Sequence, residues 1–423
     1  MTLSAEQIAI GKKYDLTEKF ITYLDRHLIN PLLENLELIE DAKTVGQAEY
    51  ELLKDTYMTN YVGELYMKLN PNGKIPDEIT NKEKEISAKL EELNKSTKIT
   101  LDKLVSSEVQ DNLKQDKNEN RQFLKSHGID DAKINELFEL GQLQFNRGDY
   151  ITASDLLNNF KLLSTDQNLL VKATWGRLVC EINNDEWVES KNEMTKLRDV
   201  IDNRNFQGST VDQLKFRTWL IHYALFIYFN SKEAGLSQLV DLFMSSSYLS
   251  TVEAACPWIL RYISVALLYS GDFKKLKELL KAIEVESYEY QDPFTNLLAT
   301  SFTTFKFEQL NEIINEIKVL VKTDYFISKL DSEKLLNVIS EIVLSNVVKI
   351  YQGLTVESLQ QIVNIDAEQV KKIVESSESI ELSADGVLTL KKENGDLYYQ
   401  VYEKTKALNY KSTQILGNAF NKE

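Results

Sequence analysis

At 423 residues, with 43% apolar and 27% charged side chains, the chain has length for about three folding units and a large core, which excludes a single small domain and a disordered composition. Its 49 basic against 65 acidic residues give a net charge of −16, which disfavours nonspecific nucleic-acid binding because phosphate contacts need clustered Lys and Arg. Two cysteines 76 residues apart, an apolar run (219–229) too short for a bilayer, and no leader in residues 1–11 argue against a disulfide framework, a membrane span and a secretory signal, and point to a reducing cytoplasmic setting.

Only five prolines occur, none between Pro76 and Pro257 or after Pro293, so a mainly α chain is predicted. Asp15, three residues before Glu18, predicts a capped helix through Phe20, Ile21, Leu24 and Leu28, interrupted at Asn30-Pro31 and resumed by Leu32, Leu33 and Leu36. After Pro71 and Pro76, the residues Ile79, Ile86, Leu90, Leu93, Thr97, Leu101 and Leu104 predict a long amphipathic helix that packs within the chain. A polar exposed stretch follows at 106–120.

From Ile134 to about Ile317 a helix, a short polar turn with an aromatic residue and a second helix recur. Leu140-Gly141, Phe145, Gly148-Asp149-Tyr150, Ala153 and Leu157 follow the tetratricopeptide pattern of small residues at a helix crossing and an aromatic wedge at the turn. Weaker copies turn at Asn184-Asp185-Glu186-Trp187, Ser231-Lys232-Glu233, Gly271-Asp272-Phe273 and Phe307-Glu308. The spacing of 37 residues from Tyr150 to Trp187 and 34 from Phe273 to Phe307 predicts a right-handed helical-hairpin solenoid.

The C-terminal third predicts a winged helix. An apolar helix (Leu335, Leu336, Ile339, Ile342, Val343, Val347) precedes a helix from Thr355 through Leu359 and Ile362, and a third helix capped by Asp366. Strands at 380–383 and 387–390 flank an Asp385-Gly386 turn and form the wing. Its apolar residues Ile380, Leu382, Val387, Leu388 and Leu390 are candidate contacts for pairing with a neighbouring hairpin. Beyond Gly395, the residues Val401, Thr405, Leu408, Ser412, Ile415 and Ala419 form a narrow seam on a terminal helix. A single seam calls for a partner helix, with Val401, Leu408 and Ile415 as its contacts.

Catalytic signatures are absent. His27, His127 and His222 are scattered, and no zinc motif, nucleophile elbow, phosphate loop or dinucleotide fingerprint occurs, so no enzyme activity, metal, cofactor or small-molecule substrate is expected. His27 and His222 read as structural histidines, and Cys180 and Cys256 as inert core thiols. A third helix at 366–379 with a net charge of −2, in a winged helix (331–392) with a net charge of −4, argues against reading DNA.

Helical repeats leading into a winged helix resemble the PCI module of the proteasome lid, the signalosome and translation initiation factor three. More specific strings are Tyr14-Asp15-Leu16-Thr17, Leu24-Asp25-Arg26-His27-Leu28 with Pro31-Leu32-Leu33-Glu34, and Arg217-Thr218-Trp219-Leu220-Ile221-His222. Others are Cys256-Pro257 with Ile259-Leu260-Arg261-Tyr262, Glu286-Ser287-Tyr288 with Asp292-Pro293, and Glu403-Lys404-Thr405-Lys406. In order and spacing they resemble the E-subunit family of eukaryotic translation initiation factor three. Residues 1–13 precede the usual family start, and 71–120 match poorly. The resemblance implies a noncatalytic scaffold subunit that contacts other PCI and MPN subunits and the D subunit of the factor. It would meet the small ribosomal subunit through the complex and messenger RNA indirectly. It also implies that the wing joins an arc of winged helices and that Val401, Leu408 and Ile415 join a helical bundle. The expected organisation is an extension (1–13), an N-terminal helical region (14–125), tetratricopeptide-like repeats (126–325), a winged helix (326–392, within a PCI module at about 215–392) and a bundle helix (393–423).

Overall fold

The structure, a computed structural model, describes residues 3–71, 73–105, 123–126, 128–203, 206, 208–351, 354–355, 359, 380–382, 387–390 and 397–420. Its contacts divide into two compact units, 1–339 and 340–423. The expected segments 1–13, 14–125 and 126–325 all fall in the first.

The first unit begins with α1 (Ala5–Lys13), capped reciprocally by Ser4 and Gln7. It docks on a later helix rather than standing apart: a Cβ built on Gly11 would lie 2.8 Å from Ile39 and 3.5 Å from Thr323. Helices α2 (Thr17–Ile21) and α3 (Arg26–Leu36) follow. The break comes at residues 22–25 and not at Asn30-Pro31. Asp25 caps α3 through the His27 N–H, and the helix runs on through Pro31. The bond Pro31 cannot donate is outweighed by the burial of Leu28, Ile29, Leu32 and Leu33 around it. Helices α4 (Ala42–Leu53) and α5 (Thr59–Leu69) lead to α6 (Asp77–Val105). As expected, the α6 seam packs inside the chain: Leu93 joins Leu124, Ile129 and Leu137 in one core, with Leu90 and Leu101 against it. The stretch at 106–120 lies outside the described residues.

The turns predicted from Gly148 to Glu308 all fall between helices. Helix α7 (Asp131–Arg147) ends on Gly148 at φ 87°, a left-handed conformation that a side chain disfavours, and Asp149 caps α8 (Tyr150–Leu163) through the Thr152 N–H. A Cβ on Gly141 would meet Leu157 at 3.1 Å, so the small residue sets the α7–α8 approach. Helices α9 (Gln167–Asn183) and α10 (Trp187–Ile201) join through Asp185 at φ 60°. Helices α11 (Thr210–Asn230) and α12 (Lys232–Phe243) meet at Ser231. Helix α13 (Ser246–Ala255) follows and packs on α11. Helix α14 (Ile259–Ser270) turns at Gly271, φ 68°, into α15 (Leu276–Glu286). Helix α16 (Pro293–Ala299) and a π turn (Thr300–Thr304) then lead to α17 (Leu310–Thr323). Residues 220–229 of α11 are all buried, so this helix is apolar on every side because other helices surround it. No described helix is long and apolar enough to cross a membrane.

Helix α18 (Ser332–Ile350) contains the boundary between the units. The second unit holds a three-stranded antiparallel sheet of β1 (Leu354–Thr355), β2 (Ile380–Leu382) and β3 (Val387–Leu390), in the order β1-β3-β2. The predicted hairpin is present, with Ile380 opposite Leu390 and Leu382 opposite Leu388. Its turn and the expected third helix (366–379) lie outside the described residues. The unit ends with α19 (Leu397–Phe420).

Candidate interaction surfaces and the central clamp

The structure sorts the predicted contact residues. Strand β3 is the middle strand, because β1 pairs with it through Leu354–Leu388 and Thr355–Val387. On this strand Leu388 is fully buried and Val387 half-buried. This corrects the expectation that Leu388 faces a partner: it is the core of the sheet. At two residues, β1 is too short to leave an alternating pattern in the sequence. Among the described residues, the sheet's two edges are β1 and β2, and β2 carries Ile380 and Leu382. On α19, Val401, Leu408 and Ile415 are 56%, 65% and 69% exposed, and every side chain from 401 to 415 is exposed. Over residues 401–415 the helix presents its apolar seam uncovered and gains no burial there.

In the first unit, the N-terminal segment is fastened to the repeats by a buried polar clamp. Arg261, a single charge within the apolar run 259–268, is 1% exposed. Its Nε donates to Asp292 Oδ2 at 2.7 Å, Nη1 to Asp324 Oδ2 at 3.1 Å and Nη2 to the Tyr14 carbonyl at 2.8 Å. Tyr290 donates to Asp292 at 2.9 Å and Tyr262 to Asp324 at 3.0 Å. Asp292 also caps α16 through the Thr295 N–H, and Asp324 accepts from the Phe326 and Ile327 N–H groups. Burial opposes the guanidinium charge, but the surrounding Tyr290, Asp292, Tyr262 and Asp324 outweigh it and hold Arg261 well above its ordinary value. A buried charge on this scale is tolerable only with such full pairing.

Beside it, His222 Nδ1 lies 2.7 Å from the Thr218 carbonyl and its Nε2 accepts from Trp258 Nε1 at 3.1 Å. One ring nitrogen must then donate and the other accept, which describes the neutral imidazole. Burial pushes its pKa down to about 4. Tyr23 stacks on His222 with centroids 4.7 Å apart, and Phe20 meets the rings of His222, Tyr262 and Phe326 at 5.2–6.0 Å. Farther along, the Asp25 N–H donates to Tyr223 Oη, His27 Nδ1 lies 2.9 Å from Tyr150 Oη, and Asn35 donates to the Thr323 carbonyl. Five of the sequence strings, at 14–17, 24–28, 217–222, 256–262 and 286–293, thus contribute to one clamp or lie beside it.

A family profile described as "eIF3 subunit 6 N terminal domain" matches residues 15–144. The E subunit of eukaryotic translation initiation factor 3 from Yarrowia lipolytica is 37% identical over 96% of this chain and 99% of its own length. The proteins of the same name from Aspergillus niger and Emericella nidulans are 34% and 35% identical, over 99% and 98% of this chain and 95% and 94% of their own lengths. The chain belongs to the E-subunit family of eukaryotic translation initiation factor 3.

In this family member His27, His222 and both cysteines serve the core. Cys180 and Cys256 are buried free thiols, and burial pushes both thiols up, away from the reactive thiolate. Among the described residues, no group of three or more His, Cys, Asp or Glu side chains is placed to hold a metal ion. A second buried charge cluster ties α8, α9 and α10 together. Glu193 accepts from Lys161, from Arg177 at 2.9 Å and from Lys196 at 2.8 Å, while Arg177 also reaches Glu181 at 3.2 Å. Burial alone would raise the Glu193 carboxyl, and these donors bring it below its ordinary value. Neither Arg261 nor Glu193 stands out in the sequence patterns. The available signal for Arg261 was a lone arginine inside ten otherwise uncharged residues.

Proposed function

We propose that this chain is a noncatalytic scaffold subunit of translation initiation factor 3, acting in the cytoplasm. The observation that carries the proposal is near-full-length similarity to proteins named as that factor's E subunit. The exposed seam of α19 supports it, because Val401, Leu408 and Ile415 lie uncovered on one helix, as docking into a bundle requires. The β1-β3-β2 order supports the winged-helix reading of 326–392, with β2, one of the sheet's two edge strands, offered to a neighbouring subunit. In this reading the chain meets other PCI and MPN subunits and the D subunit, reaches the small ribosomal subunit through the complex, and touches messenger RNA indirectly.

The test is native mass spectrometry of material purified from cytosol through a tag on this chain, with co-sedimentation of the small ribosomal subunit. Recovery with the other factor subunits is expected, and recovery with lid or signalosome subunits instead would overturn the assignment. A chain carrying Leu408→Asp and Ile415→Asp should fold and yet leave the complex, since a buried unpaired charge costs several kcal/mol. Undiminished co-purification would remove α19 as the point of attachment.

A further inference from the structure

Lys19, in the last turn of α2, is exposed, and its ammonium sits between two aromatic rings of the clamp. Lys19 Nζ lies 5.1 Å from the Trp258 ring centroid and 5.3 Å from that of Tyr290. Both distances are within the range at which a ring face attracts a cation. The seat is built in advance. Trp258 is held by its hydrogen bond to His222, and Tyr290 by its hydrogen bond to Asp292, which in turn pairs with Arg261. Both rings are buried, whereas the lysine that occupies the seat stays open to solvent and to enzymes. The neighbouring Phe20, in the same helix, and Tyr23, just after it, anchor the segment by ring packing that does not depend on charge.

We propose that Lys19 is a charge-dependent pin on the N-terminal segment, and hence a modification site at which acylation loosens α2 while methylation leaves it seated. In acylation an acyl thioester is the donor. The Nζ–C amide bond forms and the C–S bond breaks; of the two protons the ammonium loses, one goes to the thiol and one to water. The product is neutral, so the attraction to both rings is lost. Methylation keeps the positive charge and adds apolar surface, and aromatic seats hold such cations well. Phe20 and Arg261 keep the rest of the segment in place, so the effect is a graded loosening of α2 and the start of α3.

The experiment uses the full chain in three forms: N-acetyllysine installed at position 19, and Lys19→Cys alkylated either to a trimethylammonium side chain or to its neutral tert-butyl isostere. Alkylation is selective because Cys180 and Cys256 are buried. Hydrogen exchange is followed in peptides covering 17–36, with α9 as the folded reference. Acetylation and the neutral isostere should speed exchange in 17–36 by about two- to fivefold for each cation–ring attraction removed. The trimethylammonium form should match the unmodified protein, and α9 should not change. Equal protection by the two alkylated forms would show packing rather than charge and overturn the proposal. So would an acetylated chain that exchanges like the unmodified one.

Discussion

Replacing Arg261 with Met is the sharpest test of the clamp. The side chain is fully buried and bonds to two carboxylates and a backbone carbonyl, so its removal strands Asp292 and Asp324 away from water with no cation. Removing one partner of a buried ion pair costs about 3–5 kcal/mol, because the remaining charge is left uncompensated. The Tyr14 carbonyl also loses its donor, which adds about 1–3 kcal/mol if water cannot reach it. Other bonds offset part of this: Asp292 keeps Tyr290 and Thr295, and Asp324 keeps Tyr262 and two N–H groups. We therefore expect about 3–5 kcal/mol overall. Urea unfolding of the full chain, followed by tryptophan fluorescence, provides the assay, since Trp258 lies beside the clamp, and the midpoint shift is converted with the measured slope. The decisive comparison adds Asp292→Asn and Asp324→Asn to Arg261→Met. If the cost comes from stranded charge, the triple variant recovers part of the stability lost in the single one. A loss under about 1 kcal/mol in Arg261→Met, or a triple variant whose loss equals the sum of the separate ones, would refute the reasoning.

The His222 environment predicts acid sensitivity. With a folded value of about 4 against about 6.5 unfolded, the folded state binds fewer protons, so the contribution is complete above pH 6.5 and fades as pH falls toward 4. It amounts to about 3 kcal/mol, and His222→Gln should flatten the acid side of a plot of urea midpoint against pH. Gly148→Ala forces a side chain into a left-handed conformation 3.1 Å from Met58, and should cost about 1–2 kcal/mol in the same unfolding assay. Leu93→Ala on α6 should cost about 2 kcal/mol, at the low end for a core leucine because the site is at its edge. A thiol reagent should titrate neither cysteine in the native chain and both in urea. Fast native labelling would contradict their burial.

Local chemistry was enough for much of this architecture. Scarce proline, the Gly148-Asp149 and Gly271-Asp272 turns, and apolar residues at helical spacing determine where helices begin and end, because each acts over one or two turns of backbone. The β2–β3 hairpin and the seam of α19 were legible for the same reason: alternation and three-or-four spacing are properties of adjacent residues. What needed the folded chain were effects between residues far apart. The helix through Pro31 survives because Leu28, Ile29, Leu32 and Leu33 are buried by the surrounding fold, which outweighs a lost local hydrogen bond. Leu388 is core, on a strand whose partner residue Leu354 lies 34 positions earlier in a strand of only two residues. Arg261 meets Tyr14, Asp292 and Asp324 across as many as 247 residues, and no periodicity records a partner chosen by three-dimensional approach. Local patterns state what a segment prefers, but burial and the pairing of buried charge depend on what the rest of the chain brings to the same place.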